Sequence, residues 1–199
     1  AGVFAEIYPY DVTPEFVANY GAKGIILSGG PNSVTEGDTP RAPQIVFELG
    51  VPVLGICYGA QVMAQMLGGK VKSSQVKEYG KTTVTFDTCS PLFENVKPNS
   101  VCWMSHTDYI EQIPDGFEIT AITETCPVAA FENEDKKLYG VQYHPEVEHT
   151  ENGKELLTSF IYDICGAEGT WTMANYIDEQ VASVADLRGN AQRPTAASG

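Results

Sequence analysis

The fold is most clearly encoded in VPVLGICYGAQVMAQML, residues 51–67. Its apolar start, Val51–Ile56, predicts a buried strand, and Gln61–Leu67 predicts a helix. Between them lies a G-x-C-x-G sequence, Gly55-Ile56-Cys57-Tyr58-Gly59. Two glycines permit a sharp strand-to-helix turn, which lifts the central side chain to the carboxyl edge of a sheet. Because the dipole of the following helix favours a thiolate there, Cys57 is a candidate nucleophile. A buried cysteine in a glycine-rich turn is the simpler alternative.

The segments before residue 51 predict an α/β fold with a doubly wound, mostly parallel sheet. Apolar runs at Ala5–Tyr8 and Gly24–Leu27 predict strands, and Pro14–Tyr20 and Pro40–Leu49 predict helices. Strands and helices that alternate at this spacing indicate βαβ units. Because the chain opens directly on a strand, we expect that the first βα unit of such a fold is missing.

After Gly69 the pattern changes to short alternating runs, which predict a mixed or antiparallel extension of the same sheet. A closing helix is predicted over Glu151–Ile164. We expect three segments: a main domain over residues 1–168, a linker helix over 169–188 and a disordered tail over 189–199. The predicted strands of the extension are Lys81–Phe86, Val101–Met104, Glu118–Ile122, Val128–Phe131 and Leu138–Tyr143.

The composition excludes several classes of function. The 199 residues carry 26 Asp and Glu against 12 Lys and Arg, a formal net charge of −14, so a basic footprint for nucleic acid is absent. No apolar run approaches the roughly 18 residues that a membrane span needs. The five cysteines contain no C-x-x-C pair, which favours reduced thiols and a cytoplasmic location. The three histidines lack the spacing of a metal site, so none is predicted.

A second candidate group is His144-Pro145-Glu146, at the end of the strand Leu138–Tyr143. In extended chain, residues i and i+2 project to the same side, so the Glu146 carboxylate can orient the His144 imidazole. A nucleophile, a base and an orienting carboxylate are the parts of a catalytic triad. His106, in Ser105-His106-Thr107-Asp108 at another strand end, is a rival base.

The turn Ser28-Gly29-Gly30-Pro31-Asn32-Ser33 ends the strand Gly24–Leu27. Backbone N–H groups of such a loop, together with that of Tyr58, are suited to form an oxyanion hole. A phosphate-binding loop is the rival interpretation, but the P-loop sequence G-x-x-x-x-G-K-[ST] is absent. An ordinary β-turn remains the default for two glycines followed by proline.

Taken in order, SGGPNSV, GICYGAQ, WMSHTD and QYHPEVEHT resemble the class I glutamine amidotransferases, and among them the amidotransferase domains of glutamine-hydrolysing GMP synthetases. The resemblance covers roughly residues 1–180 and implies a flavodoxin-like fold. It implies that Cys57 is the nucleophile, His144 the general base and acid, and Glu146 its orienting carboxylate.

The same resemblance assigns further residues and partners. Gly30 and Tyr58 would supply the oxyanion donors, and Gln61, Ser105, Thr107 and Asp108 would hold the glutamine head group. Thr107 stands where the family has glycine. The implied reaction is hydrolysis of L-glutamine, with ammonia passing to an ATP-pyrophosphatase domain or subunit that converts XMP to GMP. ATP and magnesium belong to that partner, and no cofactor is expected in this domain.

Three points stay open at the level of sequence. A stand-alone γ-glutamyl amidase or peptidase would use the same triad. A fragment without catalytic activity is also compatible with a missing first βα unit. The sheet position that this unit would fill is expected to recruit a second copy of the chain, as in a homodimer, or to leave a poorly stable monomer.

Overall fold

The computed structural model describes residues 2–174 and residue 177, with the side chains of residues 74–77 outside that description. The chain divides into two units: Tyr8–Ala167 forms one, and Ala1–Ile7 with Glu168–Gly199 forms the other. In the second unit, the Trp171 N–H donates to the Gly2 carbonyl over 2.9 Å, and the Phe4 and Trp171 rings are in contact. Most of the predicted linker helix 169–188 and all of the tail 189–199 lie outside the described residues, so the predicted division into segments stays a prediction.

Within its described residues, the larger unit contains three α-helices, a 3₁₀ helix, a π-helical segment and seven strands. The helices are α1 (Pro14–Tyr20), α2 (Tyr58–Met66) and α3 (Gly153–Thr158), with the 3₁₀ helix at Gln44–Phe47 and the π-helical segment at Ser159–Ile164. The strands are β1 (Ile25–Leu27), β2 (Val53–Ile56), β3 (Lys70–Phe86), β4 (Asn99–Gln112), β5 (Glu118–Ile122), β6 (Ala130–Asn133) and β7 (Leu138–Val141).

These strands form one mixed sheet in the order β1-β2-β7-β6-β5-β3-β4. The strands β1, β2 and β7 are parallel, and β6, β5, β3 and β4 continue the sheet by antiparallel pairing. The predicted α/β class with an antiparallel extension is therefore confirmed. In the described residues β1 is an edge strand, with the Ile26 side chain largely exposed. The preceding βα unit stays a prediction.

Helices cover both faces of the parallel part. Side chains of β2 alternate between the faces, so Val53 packs with Ala60 and Met63 of α2, whereas Leu54 packs in the cluster that contains Leu156 and Phe160. This alternation produces two hydrophobic layers, one under α2 and one under α3 and the π-helical segment. The doubly wound arrangement follows from strands that are apolar on both faces.

Two of the predicted elements were wrong. Residues 5–8 form no strand, because this segment makes no ladder hydrogen bonds in the described structure and Ile7 is fully exposed. The helix predicted over Pro40–Leu49 is reduced to the 3₁₀ helix Gln44–Phe47. Its apolar residues Val46 and Phe47 are buried, so one turn suffices to cover this side of the sheet. None of the helices in the described part of the chain is long and apolar enough to cross a bilayer.

The turn between β2 and α2 is as tight as the two glycines of Gly55–Gly59 predict. A Cβ atom on Gly59 would lie 2.1 Å from the Leu27 carbonyl oxygen, and one on Gly55 would lie 2.7 Å from the Ala60 backbone. Both distances are far shorter than a van der Waals contact. The atoms that would be met belong to the backbone, so they cannot shift without the strand or helix around them. The helix therefore packs directly on β1 because residue 59 has no side chain.

We predict that Gly59→Ala lowers the free energy of unfolding by about 1–3 kcal/mol or more, the cost of overpacking against rigid backbone. Gly37→Ala is the matched control, because Gly37 is exposed and a Cβ there meets nothing within 4 Å. Urea denaturation followed by circular dichroism measures both variants. Equal midpoints for the two would show that the close approach of α2 to β1 is not a constraint.

Candidate active site

Cys57 occupies the turn between β2 and α2, immediately before the first residue of α2. Its backbone has φ 50° and ψ −106°, a strained conformation for a residue with a side chain. The turn is held on both sides, since the Cys57 N–H donates to the Val141 carbonyl over 2.8 Å and its carbonyl accepts from the Gln61 N–H. Strain held in place by the surrounding structure is typical of a functional site.

His144 follows β7 and is fixed by its backbone to β4. Its N–H donates to the Trp103 carbonyl over 3.1 Å, and its carbonyl accepts from the Thr150 hydroxyl over 2.6 Å. The same hydroxyl accepts from the Trp103 N–H. The imidazole Nδ1 lies 2.7 Å from Oε1 of Glu146, the pairing predicted from their i, i+2 spacing.

The structure brings His144 to the sulfur of Cys57. A hydrogen bond to Cys57 is the largest contribution that raises the pKa of His144 to about 10, and the hydrogen bond to Glu146 adds to it. Because Nδ1 is bonded to Glu146, Nε2 is the nitrogen that remains for the sulfur. Partial burial is the largest single influence on Glu146 and opposes its ionisation, but the hydrogen bond and charge of His144 and a backbone hydrogen bond together lower the pKa of that carboxyl. The imidazole is thus cationic at neutral pH.

Two further groups approach the sulfur, and sequence reasoning missed one of them. Gln142 is almost fully buried, and its Nε2 donates to Cys57 Sγ over 3.7 Å. The main-chain oxygen of Ser105 lies 3.7 Å from the same sulfur. The signal for Gln142 was its position two residues before His144, which places both side chains on the same side of extended chain.

The orientation of the Gln142 amide follows from its neighbour Gln61. The Gln61 Nε2 donates to Gln142 Oε1 over 3.1 Å and to the Asp108 carbonyl over 2.8 Å. Since the Gln142 oxygen is occupied as an acceptor, its N–H₂ group faces the sulfur. The Gln61 amide nitrogen is thus used inside the protein, and its predicted contact with a substrate stays a prediction.

The glycine loop lies against the Cys57–His144 pair. A Cβ on Gly29 would be 3.1 Å from Cε1 of His144 and 3.8 Å from Cβ of Cys57, and one on Gly30 would be 3.4 Å from the Tyr58 ring. Tyr58 is the first residue of α2, so its N–H belongs to the donors that a helix leaves without an intrahelical partner. Gly30 and Tyr58 are therefore neighbours, and their role as oxyanion donors stays a prediction.

The predicted strand end at Ser105–Asp108 was wrong, because these residues lie inside β4, which continues to Gln112 through its pairing with β3. This part of β4 is organised around Asp108, which is buried. Its carboxylate accepts from the hydroxyls of Ser33 and Ser73, the latter over 2.6 Å. Thr107 lies 3.2 Å from the Tyr79 hydroxyl through its own hydroxyl. Among the described residues only Cys57, Lys137 and Asn152 combine a side chain with positive φ, so Thr107 replaces a glycine here without backbone strain.

His106, the rival base, is turned away from this role. Its Nδ1 lies 2.9 Å from the Asp108 carbonyl and its Nε2 lies 3.0 Å from the Glu78 carboxylate. Burial lowers the pKa of His106, although the Glu78 charge and the bond to Asp108 oppose this. The ring whose pKa responds to the Cys57 sulfur is that of His144.

Comparisons with known proteins identify the family of this chain. The family model for class I glutamine amidotransferases matches residues 1–164. Proteins named GMP synthase (glutamine-hydrolyzing) are 51% identical in Clostridium perfringens and 50% identical in Alkaliphilus metalliredigens. The matches cover 100% and 99% of this chain and 39% of each relative, so the chain spans about two fifths of their length.

Solved structures show the same fold. A protein from Thermoplasma acidophilum, described as one subunit of a GMP synthase, superimposes with a TM-score of 0.70 at 30% identity, over 88% of this chain and 83% of its own. A glutamine amidotransferase from Methylobacillus flagellatus gives 0.55 at 26% identity, over 63% and 53%. The chain therefore belongs to the class I glutamine amidotransferase family.

Proposed function

We propose that this chain hydrolyses the side-chain amide of L-glutamine through a triad of Cys57, His144 and Glu146. The observation that carries the proposal is that the ends of β2 and β7 bring the Cys57 sulfur beside the His144 ring, close enough to dominate the shift of its pKa, while Nδ1 of that ring is paired with Glu146. A cationic imidazole beside a sulfur favours the thiolate, which is the attacking form in acyl transfer.

The proposed reaction has two halves. The Cys57 thiolate attacks the amide carbon of glutamine, and the resulting tetrahedral oxyanion is stabilised by the N–H groups of Gly30 and Tyr58. The His144 imidazolium gives its proton to the departing nitrogen, the C–N bond breaks, and ammonia leaves a glutamyl thioester on Cys57. The neutral imidazole then takes a proton from water, and the hydroxide cleaves the thioester to glutamate and the free thiolate.

Glu146 and Gln142 support these steps without bonding to the substrate. Glu146 fixes the ring orientation and stabilises the imidazolium, because its carboxylate accepts from Nδ1. The Gln142 amide donates to the sulfur and stabilises the negative charge that returns there when the thioester breaks. Gln61, Ser105, Thr107 and Asp108 form the adjacent wall, and we assign to it the binding of the glutamine head group.

The fate of the ammonia is the second part of the proposal. Relatives named GMP synthase are more than twice as long as the matched region, which supports a partner domain or subunit of the ATP-pyrophosphatase type. That partner would use ATP and magnesium to activate XMP, and ammonia from this site would convert it to GMP. Transfer away from bulk water is required, because ammonia released into water is mostly protonated and no longer nucleophilic.

We predict that Cys57→Ala lowers the rate of glutamate release by roughly 10⁴-fold or more, as expected when a nucleophile is removed. It should also abolish labelling by a chloroketone analogue of glutamine. Cys89→Ala is the control, because Cys89 is a free, exposed thiol outside the site. Labelling that persists in Cys57→Ala would contradict the assignment.

Stimulation by the synthetase partner and preference for free glutamine distinguish this function from that of a stand-alone γ-glutamyl amidase. Glutamate release should increase when the synthetase partner, ATP and XMP are present, and free glutamine should be hydrolysed faster than larger γ-glutamyl conjugates. Faster hydrolysis of the conjugates, without stimulation by the partner, would favour the amidase. No glutamate release under any of these conditions would favour a fragment without activity.

The raised pKa of His144 predicts a pH-dependent contribution to stability. Its folded value of about 10 exceeds the ordinary value of 6.5. The protonated ring therefore stabilises the fold fully below about pH 6.5, and this contribution is lost as the pH rises through about 10. His144→Gln should lower the free energy of unfolding more near pH 6 than near pH 9.5 when measured in urea. An equal loss at both values would mean that the imidazolium is not stabilised by the fold.

The contact between Gln142 and the sulfur predicts a role in the reaction rate. Gln142→Leu keeps the volume but removes the donor, so alkylation of Cys57 by iodoacetamide at neutral pH should slow roughly 10- to 100-fold, the loss of one charge-assisted hydrogen bond. Circular dichroism and the urea midpoint establish that the variant is folded. An unchanged alkylation rate in a folded variant would show that the amide does not act on the thiolate.

A further inference from the structure

A second group of ligating side chains lies outside the triad, formed by Glu78, His106 and Cys126. One carboxylate oxygen, one imidazole nitrogen and the sulfur of these residues lie within 4.8 Å of one another. Glu78 and His106 are cross-strand partners in the β3–β4 ladder, directly after the register shift that follows Ser73. Elements far apart in sequence thus meet at one point, which the spacing of the histidines did not indicate.

Cys126 reaches this point from the loop between β5 and β6. The loop is fixed at its base, because the Cys126 N–H donates to the Thr123 hydroxyl over 2.8 Å and the Thr123 N–H donates to the Cys126 carbonyl over 2.9 Å. The thiol donates to the Val128 carbonyl at 3.3 Å. Because a thiol is a weak donor, this sulfur is available for a stronger bond.

The group is buried, and three of its polar atoms have no partner outside the group in the described part of the chain. Cys126 is 1% exposed, and the side chains of His106 and Glu78 are 5% and 12% exposed. The His106 Nε2 and both Glu78 oxygens have no hydrogen-bond partner among the described residues. Nε2 and Oε2 are 3.0 Å apart, an ion-pair distance at which either a shared proton or a bound cation could hold the two groups together. Buried polar atoms without partners are costly, so such a set calls for a ligand.

The tautomer of His106 points to a cation. Its Nδ1 lies 2.9 Å from the Asp108 carbonyl, an acceptor, so Nδ1 carries a proton. In the neutral ring the Nε2 lone pair then faces the Glu78 carboxylate, an arrangement that is repulsive unless a positive charge lies between them. Histidines that bind metals are commonly held in this way, with the other ring N–H donated to a backbone carbonyl.

We propose that Glu78, His106 and Cys126 bind a zinc ion. Carboxylate oxygen, imidazole nitrogen and thiolate sulfur are all zinc ligands, and this mixed set suits zinc better than the oxygen-binding ions magnesium and calcium. On binding, the S–H bond of Cys126 breaks, the sulfur keeps the electron pair for the metal, and the proton passes to solvent. The fourth coordination position is left to water.

The site would be connected to the triad through one backbone group. The Asp108 carbonyl accepts from both His106 Nδ1 and Gln61 Nε2, and Gln61 in turn contacts Gln142 beside the Cys57 sulfur. Metal binding itself does not depend on the proposed amidotransferase chemistry. The two proposals therefore succeed or fail separately.

Cobalt(II) tests the site, since it replaces zinc and shows thiolate-to-metal absorption and the intense visible bands of tetrahedral coordination. The chain is treated with a chelator, reduced and titrated with cobalt(II), then with zinc to displace it. We expect the absorption in the parent chain and in Cys57→Ala, and its loss in Cys126→Ala. Cys102→Ala is the matched control, because Cys102 is equally buried but belongs to no such group among the described residues.

An absorption that is lost in Cys57→Ala and kept in Cys126→Ala would assign the metal to the triad and overturn the proposal. If cobalt(II) produced no such absorption in the parent chain, the proposal would also be overturned. Glu78 and His106 would then share a proton rather than a metal ion. Glu78→Gln covers the case in which Cys126→Ala fails to fold. It removes one ligand at constant shape and should weaken zinc affinity by roughly 10- to 100-fold or more, whereas unchanged affinity would exclude Glu78 from the site.

Discussion

The approach of the Cys57 sulfur to the His144 ring depends on how closely α2 approaches β1. Only a residue without a side chain fits at position 59, where an added Cβ would lie 2.1 Å from the Leu27 carbonyl oxygen. This contact sets the angle of the turn, and the turn forces Cys57 to φ 50°. The sulfur is therefore presented at the carboxyl edge of the sheet, next to the end of β7, which His144 follows.

The parallel strands β2 and β7 bring Cys57 together with His144 and Glu146. Because they are paired, with Ile56 opposite Val141, the residues that follow each strand emerge side by side. The long strand β4 completes the site from a third direction: Trp103 holds the His144 backbone and Ser105 contacts the sulfur. The antiparallel extension is thus part of the site, since β4 fixes the backbone of His144 and places the Ser105 main-chain oxygen against the sulfur.

Charge is distributed unevenly around the site. The chain is strongly acidic overall, yet the raised pKa of His144 keeps a positive charge beside the sulfur. His106 lies one residue from Ser105, whose main-chain oxygen contacts the nucleophile, but burial lowers the pKa of this second histidine. The two histidines differ because the hydrogen bonds to Cys57 and Glu146 outweigh desolvation at His144, whereas desolvation dominates at His106.

Local patterns in the chain were enough to predict the α/β class, the strand–turn–helix around Cys57 and the pairing of His144 with Glu146. Each of these depends on residues that are close together in the chain and on the spacing at which their side chains face the same side. The patterns also predicted a strand at Ala5–Tyr8, which pairs with no other strand among the described residues, and a helix at Pro40–Leu49, where the structure has only a buried 3₁₀ turn. Both of these predictions were wrong. The contact of Gln142 with the sulfur, and the convergence of Glu78, His106 and Cys126, came from the three-dimensional fold alone. Such contacts join residues tens of positions apart, and they depend on strand register, which the sequence pattern leaves unspecified.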